Sequence, residues 1–296
     1  MLTFKKAEPS DIALLAEALS EYSGRICDYS AGNIVFWRDY YDISYSLNGD
    51  GLVLRYGNMG ERFCYSFPVS NEPEKLVKKL LEMGNGTVCL TNLTEEQLDT
   101  VKEKFDVTEI LNSRDWDDYL YAADDIITLA GRRFSGQRNH INKFKKSYTD
   151  ASFEIITEAN TGEAKEFCHR YFGGIGKETA SVATVEYKQL LEQFDNWSIY
   201  NQLGGMLKVD GTVIGLSVGE IVGDTLIVHT EKADTSFLGA YPMLTNSFAR
   251  EFASNGTAKF INREEDCGKE GLRISKLSYH PIELIKKYAV TIKELS

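Results

Sequence analysis

Cysteine is scarce in this chain: five in 296 residues, at positions 27, 64, 89, 168 and 267, never as C-x-x-C. An odd number at wide spacing argues against a disulfide framework or a zinc site, and for reduced thiols in a cytoplasm. Proline is as rare, again five, and no low-complexity tract or short-period repeat breaks the sequence. No run approaches the roughly 18 apolar residues that a membrane span requires, so stable membrane insertion is not expected. Residues 1–20 carry Glu8 and Asp11 and lack the basic-then-apolar layout of a signal peptide. These features predict a cytoplasmic protein. Positive charge is in deficit, with 33 Lys+Arg against 44 Asp+Glu and a net charge of −11. Affinity for nucleic acid comes chiefly from neutralised phosphates, so a broad nucleic-acid surface is disfavoured. The acidic loops lack the D-x-[DN]-x-[DN]-G spacing of a calcium site, and no metal is expected.

What the chain does have is apolar material. Its 16 Tyr, 15 Phe and 3 Trp, within 43% hydrophobic residues, exclude general disorder. The length suggests two domains. Pro9-Ser10-Asp11 offers a helix start, followed by Ile12, Leu15 and Leu19 at helical spacing. Leu52–Tyr56 and Phe63–Phe67 read as strands around a turn at Gly57-Asn58-Met59-Gly60. Leu76, Leu80 and Leu81 make an amphipathic stripe ending at Gly84, a residue suited to a left-handed cap. Thr87–Thr91 is a short strand, and Thr94-x-x-Gln97 is a capping-box pattern opening a helix to about Phe105. The Tyr-rich stretch from Trp37 to Tyr45 reads as packing.

The stretch 130–148 differs from its surroundings. It has no acidic residue, while Arg132, Arg133, Arg138, Lys143, Lys145 and Lys146 are basic. Phe134, Ile141 and Phe144 can share one helix face and leave the cations on the others. Such a block is either a solvated face or a phosphate-binding one. Beyond it come helices at about 161–173 and 185–195, then a strand meander: Gly205–Val209, Thr212–Glu220 and Thr225–Glu231. Asp210-Gly211 and Gly223-Asp224 supply its hairpin turns. A helix from about Tyr241 to Ser254, a strand Ala258–Asn262, an acidic loop, a short helix and a last strand near Ala289–Ile292 complete the order. The fold class is α/β (α+β), in three parts: an N-terminal domain 1–130, a basic helical junction 131–150, and a C-terminal domain 151–296 carrying the site.

Titratable residues concentrate between His229 and Tyr279. On one strand, His229 and Glu231 share a face and Lys232 points the other way. Gly239-Ala240 precedes a helix, where free backbone N–H groups hold anions. After the next strand come Asn262, Arg263, Glu264, Glu265, Asp266 and Cys267, then Arg273, Lys276 and Tyr279. A polar cluster following an apolar strand is a site candidate. The bland readings are a satisfied core histidine, a solvated acidic loop, and a Cys267 with no base to activate it.

Several motifs in one order carry a resemblance: Asp118-Tyr119-Leu120-Tyr121, Leu129-Ala130-Gly131-Arg132-Arg133, Arg138-Asn139-x-Ile141-Asn142-Lys143-Phe144, His229-Thr230-Glu231-Lys232-Ala233-Asp234, and Asn262-Arg263-Glu264-x-Asp266-x-Gly268 through Leu272-Arg273 and Lys276-x-Ser278-Tyr279. With weaker early matches at Cys27-Asp28-Tyr29 and Trp37, they resemble bacterial proteins grouped with the C-terminal domain of phosphatidylglycerol lysyltransferase. The resemblance implies tandem GNAT-like (acyl-CoA N-acyltransferase) domains, each a mixed, mostly antiparallel sheet flanked by helices. It also implies kinship with Fem-type peptidyltransferases, whose donor is aminoacyl-tRNA. Arg138, Asn139, Ile141 and Lys143 resemble a basic Fem-type segment that follows the first domain. The lysyltransferases have a membrane-embedded region that this chain lacks, a departure that counts against a lipid acceptor. The GNAT loop for CoA reads here Ser236-Phe237-Leu238-Gly239-Ala240-Tyr241 and keeps only its central glycine, which favours an aminoacyl-tRNA donor over acyl-CoA.

The expected reaction is acyl transfer, in the first instance aminoacyl transfer, to an amine or hydroxyl of a small or peptide-like acceptor. An acyl-CoA-dependent N-acyltransferase and a silent anionic-ligand-binding protein are the alternatives. Glu231 or His229 is the expected base, and Lys232 or Arg273 the neutraliser of developing charge. Lys276 and Arg138 hold phosphate or carboxylate, with Asn139 and Lys143 on the same basic segment receiving a tRNA acceptor end. Asn262 and Asp266 orient the acceptor, with Glu264 and Tyr279 beside them; Gly239 and Ala240 form what remains of the cofactor loop.

Overall fold

The computed structural model describes residues 2–20, 22, 24–57, 63–173 and 182–295. Of the turn expected at 57–60, all but Gly57 lies outside the described residues. The chain forms two compact units, neither of them one continuous segment. The first comprises Met1–Asp118, Glu265–Gly268 and Ile285–Ser296; the second comprises Tyr119–Glu264 and Lys269–Leu284.

The first unit begins with β1 (Lys5–Lys6), α1 (Ile12–Leu19), α2 (Ala31–Phe36), β2 (Ile43–Asn48), β3 (Gly51–Tyr56) and β4 (Cys64–Ser66). It continues with α3 (Pro73–Met83), β5 (Thr87–Leu93), α4 (Glu95–Lys104) and β6 (Asp106–Asn112). Thr94 and Gln97 exchange the two bonds of a capping box at the start of α4, as their spacing predicts. Gly84 does close α3, but at φ −90°; the left-handed residue is its neighbour Asn85, at φ 51°. Leu76, Val77, Leu80 and Leu81 of α3 pack with Leu90, Leu98, Val101, Val290 and Ile292 in the core of this unit.

The second unit runs through β7 (Asp118–Ala122), α5 (Ala123–Thr128), α6 (Ser135–Ser147), β8 (Ser152–Ile155), α7 (Thr161–Phe172), α8 (Val182–Asp195) and α9 (Trp197–Tyr200). Then come β9 (Leu203–Val209), β10 (Thr212–Val222), β11 (Thr225–Ala233), α10 (Ala240–Phe252), β12 (Phe260–Asn262), α11 (Glu270–Leu277) and β13 (Glu283–Ile285). Asp210-Gly211, at φ 48° and 72°, makes the two-residue turn joining Val209 to Thr212, since both positions need the left-handed region. The core here gathers Tyr119, Tyr121, Ile126, Phe134, Ile141, Phe248 and Ile261. The last strand, β14 (Tyr288–Lys293), belongs to the first unit.

Each unit contains one seven-stranded sheet, ordered β1-β2-β3-β4-β5-β14-β6 and β13-β7-β12-β11-β10-β9-β8. Both follow one plan. A meander (β2-β3-β4; β9-β10-β11) leads through a helix to a parallel neighbour, β4 beside β5 and β11 beside β12. An antiparallel strand from the other half of the sequence then completes the sheet: β14 on β5 and β6 in the first, β7 on β12 in the second. The sheets are thus mixed and mostly antiparallel, with flanking helices.

Two expectations are corrected here. Division at residues 130 and 150 does not match the units, because β7 hydrogen-bonds into the second sheet and β14 into the first; the segment 131–150, holding α6, belongs to the second unit. The cysteines are not all thiols. Cys64 and Cys89 face one another in register on β4 and β5 and are joined by a disulfide, with Cα atoms 4.7 Å apart. Cys27, Cys168 and Cys267 are free.

Candidate functional site

A cleft of about 330 Å³ opens in the second unit, lined by Gly136, Gln137, His140, Tyr241, Pro242, Thr245, Arg263, Ser275, Ser278 and Tyr279. Three helices and the end of one strand place these side chains. In α6, Gln137, Ile141 and Phe144 are buried on one face, which turns Gly136 and His140 toward the cleft and leaves Asn139, Lys143, Lys145 and Lys146 exposed. Gln137 Nε2 donates to the Ser278 carbonyl at 2.6 Å, tying α6 to the end of α11. Leu244 and Phe248 anchor α10, while Asn246 donates to the carbonyls of Ile126 and Ile127 in α5.

Arg263, just beyond β12, is the central cation. Its side chain is 9% exposed and Nη2 donates to Glu231 Oε1 at 2.7 Å. Thr245 Oγ1 donates to the same oxygen at 2.8 Å. The rings of Tyr279 and Tyr121 lie 4.9 and 6.0 Å from the guanidinium carbon. Burial opposes the charge on Arg263, but Glu231 and the two tyrosines hold its pKa above the usual value. Burial pushes the Tyr279 phenol up to about 12, with Arg263 pulling the other way.

His229 sits at a β-bulge. Val218 pairs with Thr230 and Gly219 with Val228, so His229 is the extra residue on β11. Its ring is 2% exposed, with Nδ1 2.8 Å from Glu264 and Nε2 2.9 Å from Glu220. Burial alone lowers its pKa, but the two carboxylates outweigh it and raise the value to about 9. With a proton on each nitrogen, the ring is an imidazolium at neutral pH. It has no lone pair to act as the base that the sequence suggested.

The remaining expected residues are spread widely. Lys232 faces the other side of β11, where Nζ lies 2.8 Å from Glu186 of α8; it does not join Glu231. Arg273 is half-buried on α11 and is not part of the cleft wall. Lys276 Nζ donates to the carbonyls of Arg263 and Glu264, at 2.5 and 3.2 Å, and so fixes the loop beyond β12. Arg138 Nη1 donates to the carbonyls of Leu129 and Gly131, closing the turn before α6 in place of holding phosphate. Asn262 is fully buried and accepts from the Glu264 N–H at 2.6 Å. Asp266 belongs to the first unit, buried beside Arg114 at 3.5 Å. Tyr279 alone among the expected polar residues lines the cleft. Arg263, His140 and Thr245 were the ones missed as site residues. The available signal was the position of Arg263 directly after a strand, and that of His140 inside the basic block.

The loop expected to cradle a pyrophosphate has already committed some of its donors. The Ala240 N–H bonds the Phe237 carbonyl at 3.0 Å, and Pro242 has no N–H. Gly239, at φ 88°, backs onto α6: a Cβ there would lie 2.5 Å from the His140 carbonyl oxygen. The glycine therefore serves packing.

A second buried cluster lies in the first unit. Lys287, 5% exposed, sits 2.8 Å from Asp28, 2.9 Å from Asp118 and 3.3 Å from Glu265. Cys27 Sγ is 3.7 Å away, and the Cys27 N–H donates to Asp118. Burial raises the pKa of Asp28, and burial with Asp118 raises that of Cys27. Burial opposes charge on Lys287, but its three carboxylates hold its pKa well above the usual value. Donor atoms of Cys27, Asp118 and Glu265 are close enough together for a metal ion, but the ammonium already supplies the positive charge there.

Comparison with known proteins decides the family. Residues 20–291 match the model described as "Phosphatidylglycerol lysyltransferase, C-terminal". The chain belongs to this family. A conserved protein of unknown function from Bacteroides thetaiotaomicron is 30% identical, with a TM-score of 0.89 over 99% of this chain and 100% of that one. L-PGS from Bacillus licheniformis is 13% identical, with a TM-score of 0.64 over 97% and 93%. FemX is 9% identical, with a TM-score of 0.61 over 97% of each chain. At these last two identities the likeness is one of fold. The fold shared with these proteins has two mixed, mostly antiparallel sheets flanked by helices, the sheet architecture that the motifs implied. Among the described residues no helix is long and apolar enough to cross a membrane.

Proposed function

We propose that this protein is an acyltransferase that moves an aminoacyl group from aminoacyl-tRNA to an amine or hydroxyl of a small or peptide-like acceptor. The observation that carries this reading is the double use of α6. One side of the helix supplies Gly136, Gln137 and His140 to the cleft, and its exposed sides present Lys143, Lys145 and Lys146. A local cationic strip beside a small cleft suits a phosphate backbone whose aminoacylated end enters the cleft, in a chain whose overall charge is −11.

Within the cleft, the exposed imidazole of His140 takes the proton from the attacking amine or hydroxyl. The hydroxyl of Ser275, in the cleft lining, is the donor for the developing oxyanion. One such donor contributes roughly 3–4 kcal/mol to transition-state stabilisation, and general-base assistance about 10²–10⁴-fold. Charged tRNA is a cytoplasmic donor, which sets the reaction in that compartment. The acyl-CoA alternative is less well supported, since the loop before α10 has spent its Ala240 amide and lacks one at Pro242.

Calorimetric titration with aminoacylated total tRNA and, in parallel, with acetyl-CoA tests the proposal. Binding of charged tRNA that weakens steeply with salt and is lost on deacylation upholds it. Saturable acetyl-CoA binding moves the reading to an N-acyltransferase, and binding of neither leaves a silent GNAT-like protein.

A further inference from the structure

We infer that the cleft accepts a small ligand group ending in an oxygen acceptor, neutral or anionic, held by Arg263, and that it rejects a cationic side chain such as lysyl. This inference rests on the aminoacyl-transfer reading above and adds the chemical class of the aminoacyl group.

The decisive group is the Arg263 guanidinium. Tyr279 and Tyr121 stand over it, and Nη2 is engaged by Glu231. Nη1, by contrast, is buried and has no hydrogen-bond partner. An unpaired donor on a guanidinium that is nine-tenths buried is costly, and native proteins retain such groups where something else completes them. Arg263 forms part of the cleft wall, so a small turn of the guanidinium that uncovers Nη1 would give an entering oxygen this donor. A carboxylate, carboxamide or carbonyl fits, because a guanidinium is a donor only.

The cleft lining supplies the exclusion. None of the ten described residues that line the cleft is Asp or Glu. Glu231, the carboxylate paired with Arg263, already accepts from both Arg263 and Thr245 on one oxygen and is 10% exposed. A lysyl ammonium entering here would meet Arg263, whose paired acid, Glu231, is already committed to that cation. The volume, about 330 Å³, lies at the small end of the roughly 300–1,000 Å³ usual for ligand sites. That suits a short side chain on an ester carbonyl.

The test uses 3′-aminoacylamino-3′-deoxyadenosine analogues, whose amide link mimics the charged tRNA end without transferring. Calorimetry is run with aspartyl, asparaginyl, alanyl and lysyl forms on the full chain. The aspartyl or asparaginyl form is expected to bind about tenfold or more tighter than the alanyl form, the worth of a hydrogen bond to a charged group, with lysyl the weakest. Arg263→Lys keeps a cation for Glu231 but loses the fork, and should level the asparaginyl and alanyl affinities. Gly136→Phe fills the cleft without touching the ion pair, since a Cβ at Gly136 meets nothing within 4 Å; it should weaken every analogue.

Lysyl binding as tight as asparaginyl, or a preference unchanged in both variants, overturns the inference while leaving aminoacyl transfer intact. Failure of every analogue, with succinate or inorganic phosphate binding in an Arg263-dependent way, upholds the cleft chemistry and removes the aminoacyl reading. Failure of analogues and anions alike overturns both.

Discussion

Replacing His229 with glutamine should flatten the dependence of stability on alkaline pH. The folded pKa of His229 is raised from 6.5 to about 9, so the folded state holds a proton that the unfolded chain releases. Stability from this group is fully present below about pH 6.5 and is lost as pH rises through about 9. At 1.36 kcal/mol per unit the loss comes to about 3 kcal/mol, with little solvent screening because the ring is 2% exposed. The assay is urea denaturation between pH 6 and 10, read as the difference between wild type and His229→Gln. That difference cancels the titration of other groups. Wild type should lose about 3 kcal/mol more than the variant across this window. Glu220→Gln, which keeps a hydrogen-bond acceptor but removes one charge, should fall between them. Parallel pH profiles for wild type and His229→Gln would refute the charged-imidazolium argument and return His229 to the list of candidate bases.

Arg263→Met strands Glu231 in the protein interior and should cost about 3–5 kcal/mol, whereas the Glu231→Gln/Arg263→Gln double variant should recover much of that stability in urea melts. Lys287→Met leaves Asp28, Asp118 and Glu265 without their cation and should lower stability by a similar amount, about 3–5 kcal/mol. Alkylation of the native protein should label Cys267 alone, because Cys27 and Cys168 are buried; mass spectrometry after denaturation and reduction should then show all five cysteines modified. Lys232→Ala, which removes a partner of Glu186 outside the cleft, should leave transfer rates within about twofold of wild type while costing at most about 1 kcal/mol.

Periodicity and turn chemistry made the local elements readable. The meander from Leu203 to Ala233, with its Asp210-Gly211 turn, and the capping box at Thr94 were legible because each is set by residues a few positions apart. Strand exchange was not, since nothing within Tyr288–Lys293 says that its partners are β5 and β6 and not β12. The same distance hid Cys64 and Cys89, which are 25 residues apart in sequence and adjacent only once β4 and β5 align. In the candidate site, alternation correctly separated Lys232 from Glu231, but burial decided the rest. Arg138 and Lys276 carry the charge expected of ligand-binding residues, yet donate to backbone carbonyls. Arg263, one residue beyond a strand, gains its importance from Tyr121, Tyr279 and Glu231, none of them near it in sequence.

The strand exchange also bears on how the protein is made. A ribosome that has released β6 has not yet supplied β14, the strand that sits between β5 and β6. Synthesis from Asn112 to Tyr288, at about 5–20 residues per second, takes on the order of 10–35 s. Throughout that time the nascent first sheet carries unpaired edges at β5 and β6, the kind of template that recruits other chains. The newborn protein therefore depends on what shields those edges until its own C-terminal strand arrives, and a stall late in translation would leave both halves of the chain unfinished.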